Sequence, residues 1–527
     1  MATSEEHCVW LRNCKKETAK EVQGVVKGTI PEWLEGRLTR NGPGMLEVGD
    51  TQYRHLFDSL AMLHQFNISA GRVTYRSRFL DSDTFRKNTE ANRIVVTEFG
   101  TAAYPDPCQT LYGRFKSMFT SPEKKISDNC LVSVCQVTDE MYALTETSLV
   151  RRVDPKTLET LDKVNLHDYI ALNLATAHPH VEPDGRVYNI GSSFTSYKGP
   201  CYNIVEMPMG KIEGAKVVAS LKPLRRTSPS YFHSFAITEN YFVLVEQPLV
   251  FRFGKVLSGV FTNKPPVNSL TWLPNEKVVF RVVKRSTGEL LPTHYTSNAF
   301  VTFHHTNAYE EGGNLVMDLS GTEDGEIVKM LFIANLQKDT TDKTRILYGS
   351  SMRRYVIPLN NVHTAATGEN LIKMKDTTCT AIKQENGSVH CTTQILHPDF
   401  FDMPRINYKR NGKKYRYAYG VGTKGNDLQF ERLLKLDVKT CKMSVFTEDK
   451  FTLAEPVFVQ DPNAKEEDDG VLLTTLLSKL DPLYVALLVL DAKDMTEKAR
   501  VEFKTKGKVT SAFHGQYVGA HENIHAF

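Results

Sequence analysis

Short apolar runs dominate the hydrophobic pattern of this chain. From Arg72 onward, runs of about four to eight residues rich in Val, Ile, Tyr and Phe are separated by turns rich in Gly, Asp, Asn and Pro. Long segments with helical spacing of apolar positions are scarce. Because this pattern is typical of strands joined by tight turns, the chain is predicted to be a mostly β protein.

One hairpin design recurs along the chain. Strand, turn and strand follow one another in three segments, each with an aspartate at its turn: Leu149 to Val164 (Asp154), Leu433 to Phe446 (Asp437) and Leu487 to Phe503 (Asp491). The last two aspartates are 54 residues apart, close to the length of a four-stranded propeller blade. A chain of 527 residues has room for about seven such blades with insertions, so a propeller is favoured over a sandwich. We find no linker that divides the chain, and predict a single domain over residues 1–527.

Composition and charge exclude several classes of protein. The net charge is +4, and the Lys and Arg residues are scattered, so a nucleic-acid partner is not expected. The N-terminus has neither a secretory signal nor an Arg-rich transit peptide, which predicts a cytoplasmic protein. The nine cysteines include no CxxC pair and are predicted to be free thiols. Nothing in the sequence indicates an obligate protein partner.

Membrane contact is a separate question from membrane spanning. No apolar stretch approaches the ~20 residues that a transmembrane helix needs. Two segments, Leu111 to Phe119 and Leu249 to Pro266, mix large apolar residues with Arg and Lys as interfacial segments do. They are equally consistent with amphipathic surface loops or helices. Peripheral attachment to a membrane is therefore an expectation that the sequence leaves open.

Four of the sixteen histidines stand out by their context. Each lies among small or aromatic residues, and the four are His178, His233, His304 and His514. They are 55, 71 and 210 residues apart, as if inner strands of different blades each sent one histidine to a propeller axis. Four neutral imidazoles at an octahedral ion leave two positions open, which suits iron(II) better than a closed zinc site. A hydrogen-bonded core histidine is the alternative for any one of them.

Carboxylates that could orient such histidines are also present. A ligating imidazole normally donates its second N–H to a carboxylate, and three candidates are Glu146, Asp402 and Glu455. Each could instead be a turn or surface carboxylate. No nucleophile elbow, P-loop or dinucleotide-binding motif is found, so metal chemistry is the strongest indication of function.

With these residues in view, the sequence resembles the carotenoid cleavage oxygenases, and within them the animal branch. The similarity runs from about Ile30 to Gly515, which leaves residues 1–29 as an N-terminal extension. It rests on an ordered series of motifs: Arg40-Asn-Gly-Pro-Gly, Phe57-Asp58, Glu98-Phe-Gly-Thr, Tyr104-Pro-Asp-Pro-Cys108, Thr145-Glu-Thr, Asn173-Leu-Ala-Thr-Ala-His178-Pro-His, Pro229-Ser-Tyr-Phe-His233-Ser-Phe, Phe303-His304-His-Thr-Asn-Ala-Tyr-Glu, Pro404-Arg-Ile-Asn-Tyr, Glu455-Pro, Glu466-Glu-Asp-Asp-Gly and Phe513-His514-Gly.

The resemblance implies a seven-bladed propeller whose axial iron site is covered by a cap of helices and loops. It also implies an apolar tunnel that opens toward a membrane. The family's iron ligands fall on His178, His233, His304 and His514, and its supporting carboxylates fall on Glu146, Asp402 and Glu455. His180 and His305, the second members of their double-histidine motifs, are expected to be structural.

Two positions depart from the family pattern. Asp402 stands where glutamate is usual, and its side chain is one methylene shorter. Ser59 stands where the family's Phe-Asp-Gly motif usually has its glycine. The backbone there must therefore not require a conformation that only glycine adopts. We expect these two changes to alter the properties of the enzyme without abolishing its activity.

The resemblance also implies a reaction. Asn41, Asn173-Leu-Ala-Thr and Phe303-His304-His305 are most like the enzymes that use iron(II) and dioxygen to cleave the central 15,15′ double bond of β-carotene or a related provitamin A carotenoid to retinal. Three alternatives stay open: eccentric 9′,10′ cleavage, which the family carries out in mitochondria; isomerohydrolysis of retinyl esters; and carotenoid binding without turnover. Cys108 lies where the isomerohydrolase is lipid-modified, but its motif is shared across the branch.

Overall fold

In this computed structural model, the described residues are 8–105, 126–170, 172–194, 199–338, 342, 349–424, 429–520 and 522. They form 38 strands, numbered in chain order. The first nineteen are β1 (Thr18–Gln23), β2 (Val25–Gly28), β3 (Gly36–Met45), β4 (Glu47–Val48), β5 (Thr51–Gln52), β6 (Leu60–Ser69), β7 (Arg72–Phe79), β8 (Ser133–Gln136), β9 (Met141–Leu144), β10 (Leu149–Val153), β11 (Thr160–Asn165), β12 (Leu174–Ala175), β13 (His180–Val181), β14 (Val187–Ser193), β15 (Cys201–Met207), β16 (Lys216–Leu221), β17 (Ala236–Ile237), β18 (Tyr241–Glu246) and β19 (Leu249–Phe251).

The second half of the chain continues the series. The remaining strands are β20 (Leu270–Trp272), β21 (Val278–Lys284), β22 (Tyr295–Ser297), β23 (Val301–Glu311), β24 (Asn314–Thr322), β25 (Ser351–Pro358), β26 (Ala381–Lys383), β27 (Val389–Cys391), β28 (Thr393–Phe400), β29 (Asp402–Ile406), β30 (Tyr417–Gly422), β31 (Arg432–Asp437), β32 (Lys442–Thr447), β33 (Phe451–Leu453), β34 (Val457–Gln460), β35 (Gly470–Ser478), β36 (Tyr484–Asp491), β37 (Glu497–Lys504) and β38 (His514–Gly519). The helices are α1 (Asp83–Glu90), α2 (Phe253–Thr262), α3 (Ile327–Met330) and α4 (Ile333–Leu336).

Seven sheets of four to six strands are the blades of a propeller, which confirms the predicted all-β fold. In strand order, blade 1 is β1-β7-β6-β3-β38, blade 2 is β11-β10-β9-β8, blade 3 is β12-β14-β15-β16 with β13 on β14, blade 4 is β17-β18-β21-β22-β27-β26, blade 5 is β23-β24-β25-β28, blade 6 is β29-β30-β31-β32, and blade 7 is β2-β37-β36-β35-β33 with β34 on β35. Two smaller sheets, β4-β5 and β19-β20, lie outside the blades.

The two chain ends interlock across the closure of the ring. The N-terminal strand β2 pairs with β37 in blade 7, and the C-terminal strand β38 pairs with β3 in blade 1. Residues predicted as an N-terminal extension thus supply strands to two blades. This exchange supports a single domain over 1–527, which stays a prediction.

The repeated hairpins lie where the sequence placed them. Strands β10 and β11, β31 and β32, and β36 and β37 pair antiparallel across their turns. In each turn the aspartate carboxylate accepts backbone N–H groups two or three residues ahead. Asp154 accepts from Lys156 and Thr157 at 2.8 Å, Asp437 from Lys439 at 3.0 Å and Thr440 at 3.2 Å, and Asp491 from Lys493 at 2.8 Å. Such a side-chain bond mimics a backbone turn, which is why aspartate recurs at this point.

Helices and loops cover one end of the ring, as predicted for the cap. The four α-helices of the described residues are short, and α1, α2 and α4 contribute residues to the wall of a cavity described below. In the described part of the chain, no helix is long and apolar enough to cross a bilayer.

Candidate metal centre

Each of the seven blades contributes one predicted site residue to the axis. Following the ring from blade 1 to blade 7, these residues are His514, Glu146, His178, His233, His304, Asp402 and Glu455. The spacing of 210 residues between His304 and His514 corresponds to three steps around the ring, from blade 5 to blade 1. The structure thus brings together residues that are far apart in sequence.

The four histidines form one compact cluster. One ligand atom from each of His178, His233, His304 and His514 lies within 4.8 Å of the others. The Nε2 atoms of His178 and His233 are 2.9 Å apart. Three of the rings are buried and His178 is half-buried. This is the separation expected of donor atoms that converge on a single ion.

Three of the histidines are held by carboxylates on the side facing away from the cluster. His233 Nδ1 is 2.6 Å from Glu146, His304 Nδ1 is 2.7 Å from Asp402, and His514 Nδ1 is 2.8 Å from Glu455. An imidazole that donates from Nδ1 keeps its lone pair on Nε2, which is the form that binds a metal. All three predicted carboxylates therefore lie where a supporting role requires them.

A metal ion fits this cluster on independent grounds. Nε2 of His304 is buried and has no hydrogen-bond partner among the described residues. A buried polar atom without a partner is costly, and a metal at the centre of the cluster would satisfy it. Four uncharged imidazole donors without a thiolate suit a divalent transition metal such as iron, and do not select one metal alone.

Two β-bulges turn the site residues toward the axis. In β23 the pairing register shifts on either side of His305, next to His304. In β29 it shifts between Asp402 and Arg405, and Met403 has a φ of 50°. A regular strand would send residues three apart to opposite faces, whereas the bulge lets Asp402 and Arg405 both serve the centre.

Burial and charge set the protonation of the cluster. Burial lowers the pKa of His514 to about 4, and burial followed by the neighbouring His233 lowers the pKa of His178 well below its usual range. Burial alone would raise the pKa of Glu455, but Arg405, His514 and Arg40 beside it hold that pKa well below its ordinary value. At neutral pH these groups are a pair of neutral imidazoles and a carboxylate.

Sequence reasoning missed three residues that act on the cluster. Tyr231 donates its hydroxyl to Glu146 at 2.9 Å, and Arg405 contacts Glu455 through Nε at 2.8 Å. Arg40 is fully buried and donates to the backbone oxygen of Glu455 at 2.8 Å. All three lie inside motifs that carried the family resemblance, and this was the signal by which they could have been found. The sequence alone did not show which residues they contact.

Both departures from the family pattern are accommodated. Asp402 reaches His304 directly, and the same Oδ1 atom accepts the Met403 N–H at 2.8 Å. Ser59 has a φ of −56°, which is open to any residue, and its hydroxyl donates to the backbone oxygen of Leu56 at 2.9 Å. Neither change opens a gap in the centre.

His180 and His305 do not belong to the cluster, in agreement with their predicted structural role. His180 Nε2 lies 2.9 Å from the backbone oxygen of Phe235, and His305 Nδ1 lies 2.8 Å from Ser234 Oγ. Neither ring is among the clustered ligands. Each ring is held by contacts of its own inside the propeller.

A large apolar cavity adjoins the cluster. Its volume is about 2140 Å³, and among the described residues its wall includes His233, Glu146 and Tyr231 from the centre. Much of the remaining wall is apolar, with Phe57, Phe99, Phe251, Phe253, Leu270 and Phe332. This is about twice the upper end of the usual range for ligand pockets, so the cavity can take a long apolar molecule.

One predicted interfacial segment lies at this cavity. Residues 249–266 comprise β19, α2 and the turn that follows, and Lys255 and Val256 of α2 are exposed while lining the cavity. The other segment, Leu111 to Phe119, and Cys108 lie outside the described residues. The structure therefore gives a position to only one of the two.

Comparisons with known proteins show which family the chain belongs to. The family described as "Retinal pigment epithelial membrane protein" matches residues 11–519. The β,β-carotene 15,15′-dioxygenase of Rattus norvegicus is 40% identical over 496 residues, covering 92% of this chain and 87% of the relative. The mitochondrial carotenoid-cleaving dioxygenase of Mustela putorius furo is 40% identical over 519 residues, covering 95% of each. The solved structure of cobalt-substituted apocarotenoid oxygenase from Synechocystis superposes with a TM-score of 0.77 at 21% identity, over 98% of this chain and 99% of the other.

The family match covers nearly the whole chain, starting at residue 11 and so including most of the part taken as an extension. The two relatives are named as enzymes that add oxygen to carotenoids. The structural likeness independently shows the same propeller. The chain belongs to the retinal pigment epithelial membrane protein and carotenoid oxygenase family, and it is an oxygenase.

Proposed function

We propose that this chain is an iron(II)-dependent dioxygenase that cleaves the central 15,15′ double bond of β-carotene, or of a related provitamin A carotenoid, to give retinal. One dioxygen molecule then supplies the aldehyde oxygens of two products. The observation that carries the proposal is a shared wall: His233, Glu146 and Tyr231 belong both to the centre and to the cavity. A polyene in this cavity would lie against the histidines. The rat 15,15′-dioxygenase, at 40% identity, is a relative named for cleavage of this bond.

In this proposal His178, His233, His304 and His514 hold the ion, and Glu146, Asp402 and Glu455 keep three of the rings in the ligating form. When bound, ferrous iron supplies redox chemistry and open positions for dioxygen. The cobalt-substituted Synechocystis structure supports a divalent transition metal in this fold. The chain itself supplies orientation, because each supported ring is fixed by a bond from another blade.

The cavity wall would determine which double bond reacts. A carotenoid has no hydrogen-bonding group near its centre, so shape and length of an apolar wall are the means of positioning it. Phe57 packs edge-on to Phe513, the neighbour of His514, with ring centroids 5.3 Å apart. This aromatic contact links the cavity wall to the neighbour of a predicted ligand.

Product analysis after iron reconstitution tests the proposal. The purified protein is reconstituted with iron(II) without air, its iron content is measured, and air and β-carotene in detergent are added. Retinal as the only aldehyde supports central cleavage. A chain that binds carotenoid but takes up no stoichiometric iron would be a binding protein, and the proposal would be wrong.

Eccentric 9′,10′ cleavage is the second candidate, because the ferret carotenoid-cleaving dioxygenase matches as well as the rat enzyme and over more of the chain. The same experiment separates the two reactions, since eccentric cleavage gives an apocarotenal and a shorter ionone fragment. Retinyl ester is assayed in parallel, because isomerohydrolysis would release an isomerised retinol without consuming dioxygen.

We also propose that the cap contacts a membrane surface, with the protein otherwise residing in the cytoplasm. Val256 on α2 is 37% exposed beside the exposed Lys255, at the wall through which a lipid-soluble substrate would enter. Vesicle flotation checks this: Val256→Asp should reduce binding, whereas Val445→Asp, at a residue 46% exposed on β32 outside the cavity wall, should not. Equal binding by both variants would contradict the contact. Fractionation of cells tests the residence.

A further inference from the structure

We propose that Arg405 and Arg40 form an arginine clamp on Glu455 that keeps the ion of the histidine centre in its divalent state and fixes the position of His514. This inference rests on the proposed iron site. Neither arginine touches the histidine nitrogens that face the ion, so both are positioning residues. Their effect passes through Glu455 and through their charge.

Arg405 makes a bidentate contact with the Glu455 carboxylate through its guanidinium group. Nε is 2.8 Å from Oε1 and Nη2 is 3.1 Å from Oε2, and the two side chains are 10% and 2% exposed. Nη2 also donates to the backbone oxygen of Gly515 at 2.6 Å, while the Gly515 N–H donates to Glu455 Oε2 at 2.9 Å. Gly515, which follows His514, is therefore hydrogen-bonded to the same carboxylate that contacts the His514 ring.

Arg40 adds a second positive charge from inside blade 1. It is completely buried, its Nη1 donates to the Glu455 backbone oxygen at 2.8 Å, and its Nη2 lies 3.9 Å from Glu455 Oε2. Nε and Nη2 have no hydrogen-bond partner among the described residues. Burial lowers the pKa of Arg40 to about 10, so the group stays cationic at neutral pH. A buried cation with so few hydrogen bonds acts mainly through its charge.

Glu146, the supporting carboxylate that lines the cavity, has a different kind of partner. Glu146 accepts the neutral hydroxyl of Tyr231 at 2.9 and 3.1 Å. At Glu455, by contrast, two guanidinium groups face one carboxylate, so the clamp leaves an excess of one positive charge beside His514. Without the two arginines this positive charge is lost, and oxidation of a ferrous ion to the ferric state would be easier. Charge near a metal shifts its potential in this direction.

The test measures the iron(III)/iron(II) equilibrium of the iron-loaded protein by redox titration with optical detection, without carotenoid. Arg405→Gln removes the charge and should shift the equilibrium at least tenfold toward ferric iron, about 59 mV in potential. Arg40→Met leaves the Arg405 fork in place and should shift it in the same direction. Arg405→Lys keeps the charge without the fork, so its potential should stay near that of the wild type.

Arg354→Gln is the matched control. Arg354 makes an equally buried two-armed contact with Asp318 at 2.8 and 2.7 Å in blade 5, away from the clustered ligands. Its loss should lower stability and leave the potential unchanged. The visible spectrum of the cobalt(II) form reports the fixing of His514, and should change in Arg405→Lys and Arg405→Gln but not in Arg354→Gln.

Unchanged potentials in both Arg405→Gln and Arg40→Met overturn the inference, as does an Arg405→Lys shift as large as that of Arg405→Gln. If Arg405→Gln does not fold, Arg40→Met decides. A wild-type chain that binds no iron overturns the proposed function and this inference together. Iron binding with clamp-dependent potentials but no carotenoid product overturns only the reaction.

Discussion

The histidine centre and the adjoining cavity are held together by different forces. In the centre, three of the four ligand rings each have one carboxylate partner at 2.6 to 2.8 Å, supplied by a different blade. The cavity of about 2140 Å³ is shaped largely by apolar side chains, whose contacts have little directional preference. Changes in the centre should therefore weaken or abolish metal binding, whereas changes in the cavity wall should alter selectivity and leave the metal in place.

Removal of a ligand should have the largest effect. His304→Ala deletes a donor whose Nε2 has no other described partner, and we expect loss of bound iron with at least a 1000-fold fall in turnover, on the order of 4 kcal/mol in the barrier. Metal analysis and product assay measure both. His363→Ala, at an exposed histidine outside the cluster, should retain iron and activity. Full iron content in His304→Ala would show that this ring is not a ligand.

Loss of a supporting carboxylate should have a smaller effect. Glu455→Gln keeps the shape of the side chain but removes the charge that His514 and Arg405 contact, and iron affinity should fall roughly 10- to 100-fold. Competition with a chelator measures this affinity. Glu466→Gln changes an exposed glutamate of the acidic motif and should leave it unchanged. Equal iron affinities in Glu455→Gln and Glu466→Gln would show that Glu455 does not support the metal centre.

A change in the cavity wall should preserve the metal and alter the products. Phe251→Ala removes a ring from the wall and so enlarges the cavity beside Tyr231, whose ring centroid is 6.0 Å from that of Phe251. We expect normal iron content, a fall of about tenfold in kcat/KM, and apocarotenals beside retinal, because the polyene is positioned less well. Phe451→Ala, on β33 away from the cavity, should keep the product pattern. An unchanged pattern in Phe251→Ala would argue against control by this wall.

An effect on stability rather than on turnover is expected at Asp58, which follows the cavity residue Phe57 in the sequence. Burial raises its pKa to about 7, whereas an unfolded aspartate titrates near 3.9. The folded state then binds the proton more tightly, so the contribution of Asp58 to stability is complete below about pH 4 and is lost as pH rises through 7. In Asp58→Asn, the fall of unfolding free energy with pH in this window should be flatter, by at most about 1.4 kcal/mol per pH unit. Urea unfolding at several pH values measures it, and parallel pH profiles of wild type and variant would contradict it.

Two of the motifs that carried the family resemblance contact each other in the structure. Asp58 accepts the Gly100 N–H at 2.9 Å and the Thr101 hydroxyl at 2.5 Å, so the Phe-Asp and Glu-Phe-Gly-Thr segments fit against each other. A side chain at Gly100 would lie 2.4 Å from Cβ of His55, which explains the glycine. These contacts join segments 42 residues apart, and no local pattern in either segment reveals its partner.

The sequence by itself determined the β class, the repeated aspartate hairpins, the four histidines and their three carboxylates. It could do so because strand periodicity and turn chemistry are local, and because the family motifs carry the site residues. Only the tertiary structure decided which carboxylate serves which histidine, that two arginines and a tyrosine act behind them, and that both chain ends close the ring. These pairings depend on how seven blades meet at one axis, and the bulges that bring Asp402 and Arg405 to that axis are set by packing rather than by residue pattern.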